Sequence, residues 1–313
     1  LAIGRHGRRN GDRRARRPVR CPVLGLSGAA GKRREPRRQI LVLIPSPVLT
    51  QSSSLSIAAF RFEHFSEIAS TNDAAMARAR SGDAGHLWLS ADVQTSGRGR
   101  HNRPWTSPSG NLYASLLLID PSVPAKAPQL GFVAGVALVD ALRDFAPDIK
   151  FALKWPNDIL VGQAKLAGIL LEGSSLPDQR FACVLGCGIN CANHPDGLAY
   201  AATDLKALGL EVAPSMLLQA LAITFTRWLD VWAAGEGFAF IRAAWLERAA
   251  GLGGPVRVNL GGQMHEGRFA DMDAAGRLIL DKPDGRVTID AGDVFLGPVN
   301  RPPNENGQGA PGR

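Results

Sequence analysis

The sequence contains no run of about 18 consecutive apolar residues, the length that a membrane-spanning helix needs. It therefore predicts no membrane span, and we expect no membrane partner. The chain is also poor in cysteine, with four in 313 residues. So few cysteines favour a reducing compartment over a disulfide-bonded secreted protein, and we expect the protein to be cytoplasmic.

Three of the cysteines, Cys183, Cys187 and Cys191, recur at intervals of four and precede His194, which superficially resembles a metal cluster. The segment 181–190 alternates like a strand, on which residues four apart lie about 13 Å from each other. That separation is too large for one zinc ion. We therefore interpret the cysteines as buried thiols and predict no metal cluster of protein side chains, with a metal site as the minor alternative.

Excess positive charge is absent from most of the chain. The net charge is +8, but residues 1–40 alone contribute +11, which leaves −3 for the other 273 residues. For residues 1–56, which we expect to be disordered, three interpretations stay open. They are an organellar transit peptide, a nucleic-acid-binding tail and translated sequence upstream of the true start, which the initial leucine favours.

From residue 57 onward, hydrophobic periodicity changes repeatedly between strand and helix, which predicts an α+β fold. Apolar alternation predicts strands over 60–68, 86–93, 111–119, 149–153, 159–161, 166–171 and 181–185. Helical periodicity and capping residues predict helices from Ser70 to Arg80, after Pro128, and over about 215–234 and 238–250.

The composition changes after residues 251–254, where three of four residues are glycine. Short strands separated by Gly or Asp-Gly turns then predict a small β-barrel. These strands are predicted over 256–260, 263–271, 277–281 and 287–290. We divide the chain into a main domain over 57–252, the barrel over 253–298, and disordered segments over 1–56 and 299–313.

Four polar or glycine-rich clusters follow predicted apolar strands, and loops at the ends of one sheet commonly form a binding site. They are Ser70-Thr71-Asn72, residues 94–105, residues 154–165 and residues 186–190. The second has three arginines and two glycines within seven residues, which suits an anionic ligand. A solvated basic loop is the alternative there, and a simple helix cap is the alternative for the first. Gly186-Cys187-Gly188 predicts a tight bend or a close approach to a ligand.

Together these clusters resemble the motifs of the biotin protein ligases over about residues 60–296. The motifs are Ser70-Thr71-Asn72, Gln94-Thr95-Ser96-Gly97-Arg98-Gly99-Arg100 followed by Trp105, Lys154-Trp155-Pro156-Asn157-Asp158, Lys165-Leu166-Ala167-Gly168-Ile169-Leu170, and Gly186-Cys187-Gly188-Ile189-Asn190. The resemblance implies a mixed β-sheet with flanking helices, like that of class II aminoacyl-tRNA synthetases, and a Src-homology-3-like C-terminal barrel. It also implies a monofunctional ligase without a DNA-binding domain.

The resemblance implies a reaction in two steps. ATP with Mg²⁺ adenylates biotin to biotinyl-5'-AMP, and biotin is then transferred to a lysine of a biotin carboxyl carrier domain. No specific DNA partner is implied, and a homodimer is compatible with the family. The alternatives are a lipoate or octanoate ligase or transferase of the same superfamily, and a biotin-sensing transcriptional regulator.

By the same resemblance, Lys165 would bridge the biotin carboxylate and the phosphate, Arg100 would retain the adenylate, and Trp105 would stack on adenine. The implied biotin-binding residues are Ser70, Thr71, Asn72, Gln94, Gly97, Arg98, Gly99, Arg100, Lys165, Gly168, Gly186 and Gly188. Those implied for ATP or the adenylate are Arg98, Arg100, Trp105, Asn157, Lys165 and Asn190. The implied catalytic residues are Lys165, Arg100 and Asp158, with Mg²⁺ bound to ATP near Asp158.

Two adjacent positions depart from the family's pattern. His101-Asn102 stands where the family usually has a basic residue followed by glycine. Asparagine tolerates the left-handed backbone conformation better than most residues. We therefore expect the loop to form in spite of the substitution.

Overall fold

A computed structural model describes residues 56–297, so the predictions for the two terminal segments lie outside the described residues. Its larger sheet has seven strands, which are β1 (Arg61–Ile68), β2 (Leu87–Gln94), β3 (Leu112–Ile119), β4 (Phe151–Lys154), β5 (Asp158–Val161), β6 (Ala164–Ser175) and β7 (Phe181–Ile189). Their order in the sheet is β1-β2-β3-β7-β6-β5-β4, with β1 and β2 parallel and the other pairs antiparallel.

All four predicted helices are present, and short 3-10 turns join some of the elements. The helices are α1 (Thr71–Arg80), α2 (Leu130–Phe145), α3 (Pro214–Trp232) and α4 (Phe238–Glu247). The 3-10 turns are Ile57–Ala59, Arg100–Asn102, Pro124–Gln129 and Ala233–Gly235. Helix α1 begins where predicted because the Ser70 hydroxyl accepts the Asp73 N–H at 3.2 Å. Helix α3 ends before the predicted residue 234 because Ala233 turns left-handed, with φ 47°.

The sheet is covered on both faces. Helix α1 packs on one face over a small apolar cluster that includes Ala75, Leu89 and Val184. Helices α2, α3 and α4 cover the other face and form the main core. The segment Pro124–Phe145 is long and apolar enough to cross a membrane by composition, but 67% of its most apolar stretch is buried inside the protein. A core helix that is apolar on nearly all sides has this property.

The smaller sheet forms a C-terminal β-domain, whose core is continuous with the main core. Its five antiparallel strands are β8 (Pro255–Leu260), β9 (Gln263–Met272), β10 (Leu278–Lys282), β11 (Gly285–Ile289) and β12 (Asp293–Leu296), in the order β11-β10-β9-β8-β12. Strand β12 was not predicted because it has four residues and a glycine at each side. The domain boundary between residues 252 and 253 stays a prediction.

The predicted bend at Gly186-Cys187-Gly188 is wrong, because β7 continues as a strand to Ile189. Gly188 pairs with Tyr113 of β3 on one side and with Gly168 of β6 on the other. A central strand bonded on both edges stays extended, and glycine there marks a close approach of other groups.

Three cysteines are buried free thiols, with Cys183 and Cys187 on β7 and Cys191 just after it. Burial raises the pKa of Cys183 and Cys187 to about 12 and that of Cys191 to about 11. These thiols therefore stay protonated and act as small apolar side chains.

Candidate active site

A cavity of about 490 Å³ opens between the sheet, residues 94–105 and the C-terminal β-domain. We name residues 94–105 the arginine loop. The cavity is lined by most of the predicted site residues, namely Ser70, Thr71, Asn72, Gln94, Arg98, Gly99, Arg100, Trp105, Asn157, Asp158, Lys165, Gly168, Gly186 and Gly188. Residues as far apart in the sequence as Ser70 and Gly188, 118 positions, therefore converge on one site.

One wall of the cavity is polar but uncharged. Thr71 donates its backbone N–H and its hydroxyl to Gln94 Oε1, at 2.8 and 3.0 Å. The buried Ser115 hydroxyl lies 2.7 Å from Thr71 Oγ1 and 2.6 Å from Asn72 Oδ1. These contacts fix the rotamers of the wall, so its donors and acceptors are preorganised for a polar ligand.

Arg98 is held between two carboxylates. Its guanidinium donates to Asp73 at 2.7 and 2.8 Å and to Glu172 at 3.1 Å, and Glu172 also accepts from Asn72 Nδ2 at 2.7 Å. The hydrogen bond to Asp73 is the main reason why the pKa of Arg98 is raised, and the same bond lowers the pKa of Asp73. Arg98 thus fastens the arginine loop to α1 and β6.

The other two arginines of the loop face the C-terminal β-domain. Arg100 Nη1 donates to Asn157 Oδ1 at 3.2 Å and to the Gly292 carbonyl at 3.3 Å. Burial lowers the pKa of Arg100. Arg103 forms an ion pair with Asp293, and its hydrogen bond lowers the pKa of that carboxyl group. Arg98 and Arg103 therefore anchor the arginine loop at two points. Arg100, which lies between them in the sequence, lines the cavity.

The departure at His101-Asn102 is accommodated. Both residues adopt left-handed conformations, with φ of 56° and 55°. The turn is closed by the Gly99 N–H, which donates to the Arg103 carbonyl at 2.8 Å. The expectation that the loop forms without the usual glycine is confirmed.

Lys165 lies on the opposite wall of the cavity. Its Nζ lies 2.7 Å from Asp158 Oδ1 and 5.3 Å from the centroid of the Trp105 ring. The other oxygen of Asp158 lies 3.2 Å from Lys154 Nζ. The ammonium of Lys165 is thus held by a carboxylate on one side and an aromatic face on another, while it stays on the cavity.

The glycines of β6 and β7 make room for cavity side chains. A methyl group at Gly186 would collide with Asn72 Oδ1, and one at Gly188 would lie 2.6 Å from Trp105 Nε1. At Gly168 it would lie 3.3 Å from Trp105 Cζ3. The predicted close approach is present, but the approaching groups are Asn72 and Trp105.

Comparisons with known proteins identify this arrangement. Residues 66–190 match the protein family described as "Biotin/lipoate A/B protein ligase family". Residues 251–297 match the family described as "Biotin protein ligase C terminal domain". The chain is 42% identical over 238 residues to a biotin–[acetyl-CoA-carboxylase] ligase of Paracoccus denitrificans, which covers 73% of this chain and 97% of that protein. The chain belongs to the biotin/lipoate A/B protein ligase family.

Further relatives agree with this membership. A biotin–[acetyl-CoA-carboxylase] ligase of Mycobacterium tuberculosis is 38% identical over 72% of this chain and 85% of its own length. The structure of an Aquifex aeolicus biotin protein ligase in complex with biotin and ATP matches with a TM-score of 0.67 and 25% identity. The match covers 76% of this chain and 99% of that one. The predicted fold class and the resemblance to biotin protein ligases are confirmed, and the matched C-terminal domain favours them over the lipoate alternative.

Two predicted site residues of this biotin protein ligase are not among those that line the cavity. Gly97 is part of the arginine loop and packs against its own end, where a methyl group would come within 2.7 Å of the Trp105 carbonyl. Asn190 is buried, and its Nδ2 donates to the Thr203 carbonyl at 3.0 Å. Both residues support neighbouring backbone in this structure.

Sequence reasoning missed several residues of the site. Ser115 could have been found, since it is the one serine inside the otherwise apolar and aromatic strand Leu112–Ile119. Glu172 and Tyr200 had no motif around them. The residues Asn259, Gly292, Asp293, Val294 and Phe295 of the C-terminal β-domain also line the cavity. Their contribution depends on how the domain sits against the loop, which no local pattern encodes.

The side chains around Asp158 do not fit a magnesium ion held by the protein. Both carboxylate oxygens already face ammonium groups, at 2.7 Å from Lys165 and 3.2 Å from Lys154. Among residues 56–297, no group of three or more His, Cys, Asp or Glu side chains could hold a metal. Magnesium that enters with ATP is bound largely by phosphate oxygens, so its predicted placement near Asp158 stays a prediction.

Proposed function

We propose that this cavity is where the ligase joins biotin to AMP and then to a carrier lysine. The observation that carries the proposal is that Lys165 and Arg100 line the same cavity as the uncharged polar wall around Thr71 and Gln94. Fixed cations next to neutral donors and acceptors suit a ligand with a carboxylate at one end and an amide-like ring at the other. Biotin has a carboxylate and a ureido ring.

The reaction has two steps. A carboxylate oxygen of biotin attacks the α-phosphorus of ATP, and the bond to pyrophosphate breaks. The product, biotinyl-5'-AMP, has a good leaving group on its acyl carbon. The neutral amine of a carrier lysine then attacks that carbon, and AMP leaves. Catalysis of the first step consists mainly of positioning the reactants and neutralising phosphate charge.

The uncharged wall is proposed to bind the ureido ring through Ser70, Thr71, Asn72 and Gln94. Its hydroxyl and amide groups match the N–H and C=O groups of that ring, and its internal hydrogen bonds already fix its geometry.

The cationic residues are proposed to neutralise the negative charges of the carboxylate and the phosphate. Lys165 would bridge the biotin carboxylate and the α-phosphate, and Arg100 would hold the phosphate of the adenylate. Arg98 is proposed to act indirectly, because both of its carboxylate partners belong to the protein itself. Trp105 and Asn157 line the same cavity and are proposed to contact the nucleotide.

Magnesium is proposed to enter with ATP on the phosphate oxygens. The acceptor is proposed to be the carrier domain of a biotin-dependent carboxylase, in line with the activity of the Paracoccus relative. We further propose a cytoplasmic location, no specific DNA binding, and compatibility with a homodimer. Sedimentation of the purified chain and titration with DNA would test the last two.

The decisive experiment measures exchange of labelled pyrophosphate into ATP with biotin, lipoate or octanoate as the acid. We expect exchange with biotin, and we expect the Lys165→Ala variant to lose it. Exchange with lipoate or octanoate but not with biotin would contradict the proposed substrate. Biotin-dependent exchange that survives in Lys165→Ala would contradict the proposed role of that lysine alone.

A further inference from the structure

Tyr200 is one of only two tyrosines in the chain, and it lies at the cavity. Its side chain is 52% exposed, in the connection between β7 and α3. The ring centroid lies 5.7 Å from Lys165 Nζ. Trp105 contacts the same ammonium at 5.3 Å, so two aromatic rings and the Asp158 carboxylate surround it.

The backbone next to Tyr200 is fixed to Lys165. The Lys165 N–H donates to the Ala201 carbonyl at 2.8 Å, and the Thr203 N–H donates to the Lys165 carbonyl at 3.0 Å. Asn190 holds the same segment through its 3.0 Å hydrogen bond to the Thr203 carbonyl. An exposed aromatic side chain is thus kept at a defined distance from one ammonium.

The surroundings of Tyr200 also change the pKa of its hydroxyl. Burial raises the pKa of its hydroxyl, and the negative charge of Asp158 adds to this effect. The phenol is therefore neutral at physiological pH, and its contribution to Lys165 comes from the face of the ring.

A lysine side chain loses rotamer entropy when it is held in one position, so an ammonium on a cavity wall needs contacts that hold it. We propose that Tyr200 is a positioning residue for adenylation, whose ring acts with Trp105 to hold the Lys165 ammonium over the cavity. The proposal rests on the role proposed above for Lys165. It requires the aromatic face and not the hydroxyl.

The test compares Tyr200→Phe with Tyr200→Leu in biotin-dependent pyrophosphate exchange, with kcat and KM for ATP measured separately. We expect Tyr200→Phe to retain the wild-type kcat. Tyr200→Leu should lower kcat by about 2- to 30-fold, the range of a cation–π contact. Phe240→Leu is the matched control, because Phe240 is 60% exposed on α4 and its loss should change neither parameter.

Three results would overturn the inference: an unchanged kcat in Tyr200→Leu, a rise in KM for ATP with kcat unchanged, or an equal loss in Tyr200→Phe. The second would place the ring on the nucleotide and the third would assign the role to the hydroxyl. Thermal melting of each variant separates these effects from misfolding. If Lys165→Ala keeps full exchange, the proposed role of Lys165 fails first; if it loses exchange while Tyr200→Leu does not, only the Tyr200 inference fails.

Discussion

Arg103 of the arginine loop forms an ion pair with Asp293 of β12, 190 positions further along the chain. Next to this pair, Arg100 donates to the Gly292 carbonyl at 3.3 Å. The C-terminal β-domain therefore holds the arginine loop, which lines the cavity, in addition to contributing part of the cavity wall. A small domain placed in this way can affect retention of a reactive intermediate without touching the reacting atoms.

Loss of the Arg103–Asp293 pair should loosen the loop. Asp293→Asn keeps the shape of the side chain but removes its charge, so we expect biotinyl-5'-AMP to escape a few-fold faster into solution. Because Arg103 is 61% exposed, the cost in global stability should be below about 1 kcal/mol. A filter assay that follows the loss of labelled adenylate from the protein measures this escape. Asp284→Asn, in the same domain but away from the loop, is the control, and equal escape from both variants would refute the role of the pair.

The other anchor of the loop should depend on pH. Arg98 lowers the pKa of Asp73, so the stabilisation by this carboxylate is complete above its unfolded value of about 4 and is lost as pH falls through the lower folded value. We expect Asp73→Asn to be less stable than the wild type from pH 8 to pH 5, with the difference shrinking below about pH 4. Urea unfolding at several pH values measures this difference. A difference that grows on acidification would show that the pair does not stabilise the fold.

Local patterns predicted the elements and most of the cavity residues because both depend on short segments. The Ser70 cap, the alternation in β1 to β3 and the motif around Lys165 are readable within about ten residues. The partners of Arg98 could not be predicted, because Asp73 and Glu172 meet it only after the sheet has formed. The same holds for Asn190, which stands in a family motif but is turned toward Thr203 and away from the cavity.

Gly188 should be required for the position of Trp105. A methyl group at Gly188 would lie 2.6 Å from Trp105 Nε1, so Gly188→Ala must move the indole or the strand. Overpacking of this kind costs about 1–3 kcal/mol, and we expect a raised KM for ATP together with a shift in tryptophan fluorescence. Gly131→Ala on α2 is the control, since a methyl group there meets no atom within 4 Å. A shift in tryptophan fluorescence with an unchanged KM for ATP in Gly188→Ala would show that Trp105 has no part in nucleotide binding.

Substitution of Arg100 and substitution of Lys165 should affect different steps of the reaction. Lys165 is proposed to stabilise the charge that develops as the adenylate forms, so Lys165→Ala should lower pyrophosphate exchange by about 10²-fold or more. Arg100 is proposed to hold the finished adenylate, so Arg100→Gly should still form it but lose it, and the escaped anhydride should acylate lysines on bystander proteins. Biotin labelling of serum albumin added to the assay measures this loss, with the exposed Arg143→Ala on α2 as the control. If Arg100→Gly labels only the carrier domain, Arg100 does not retain the intermediate, and the retention must come from the two anchors of the loop.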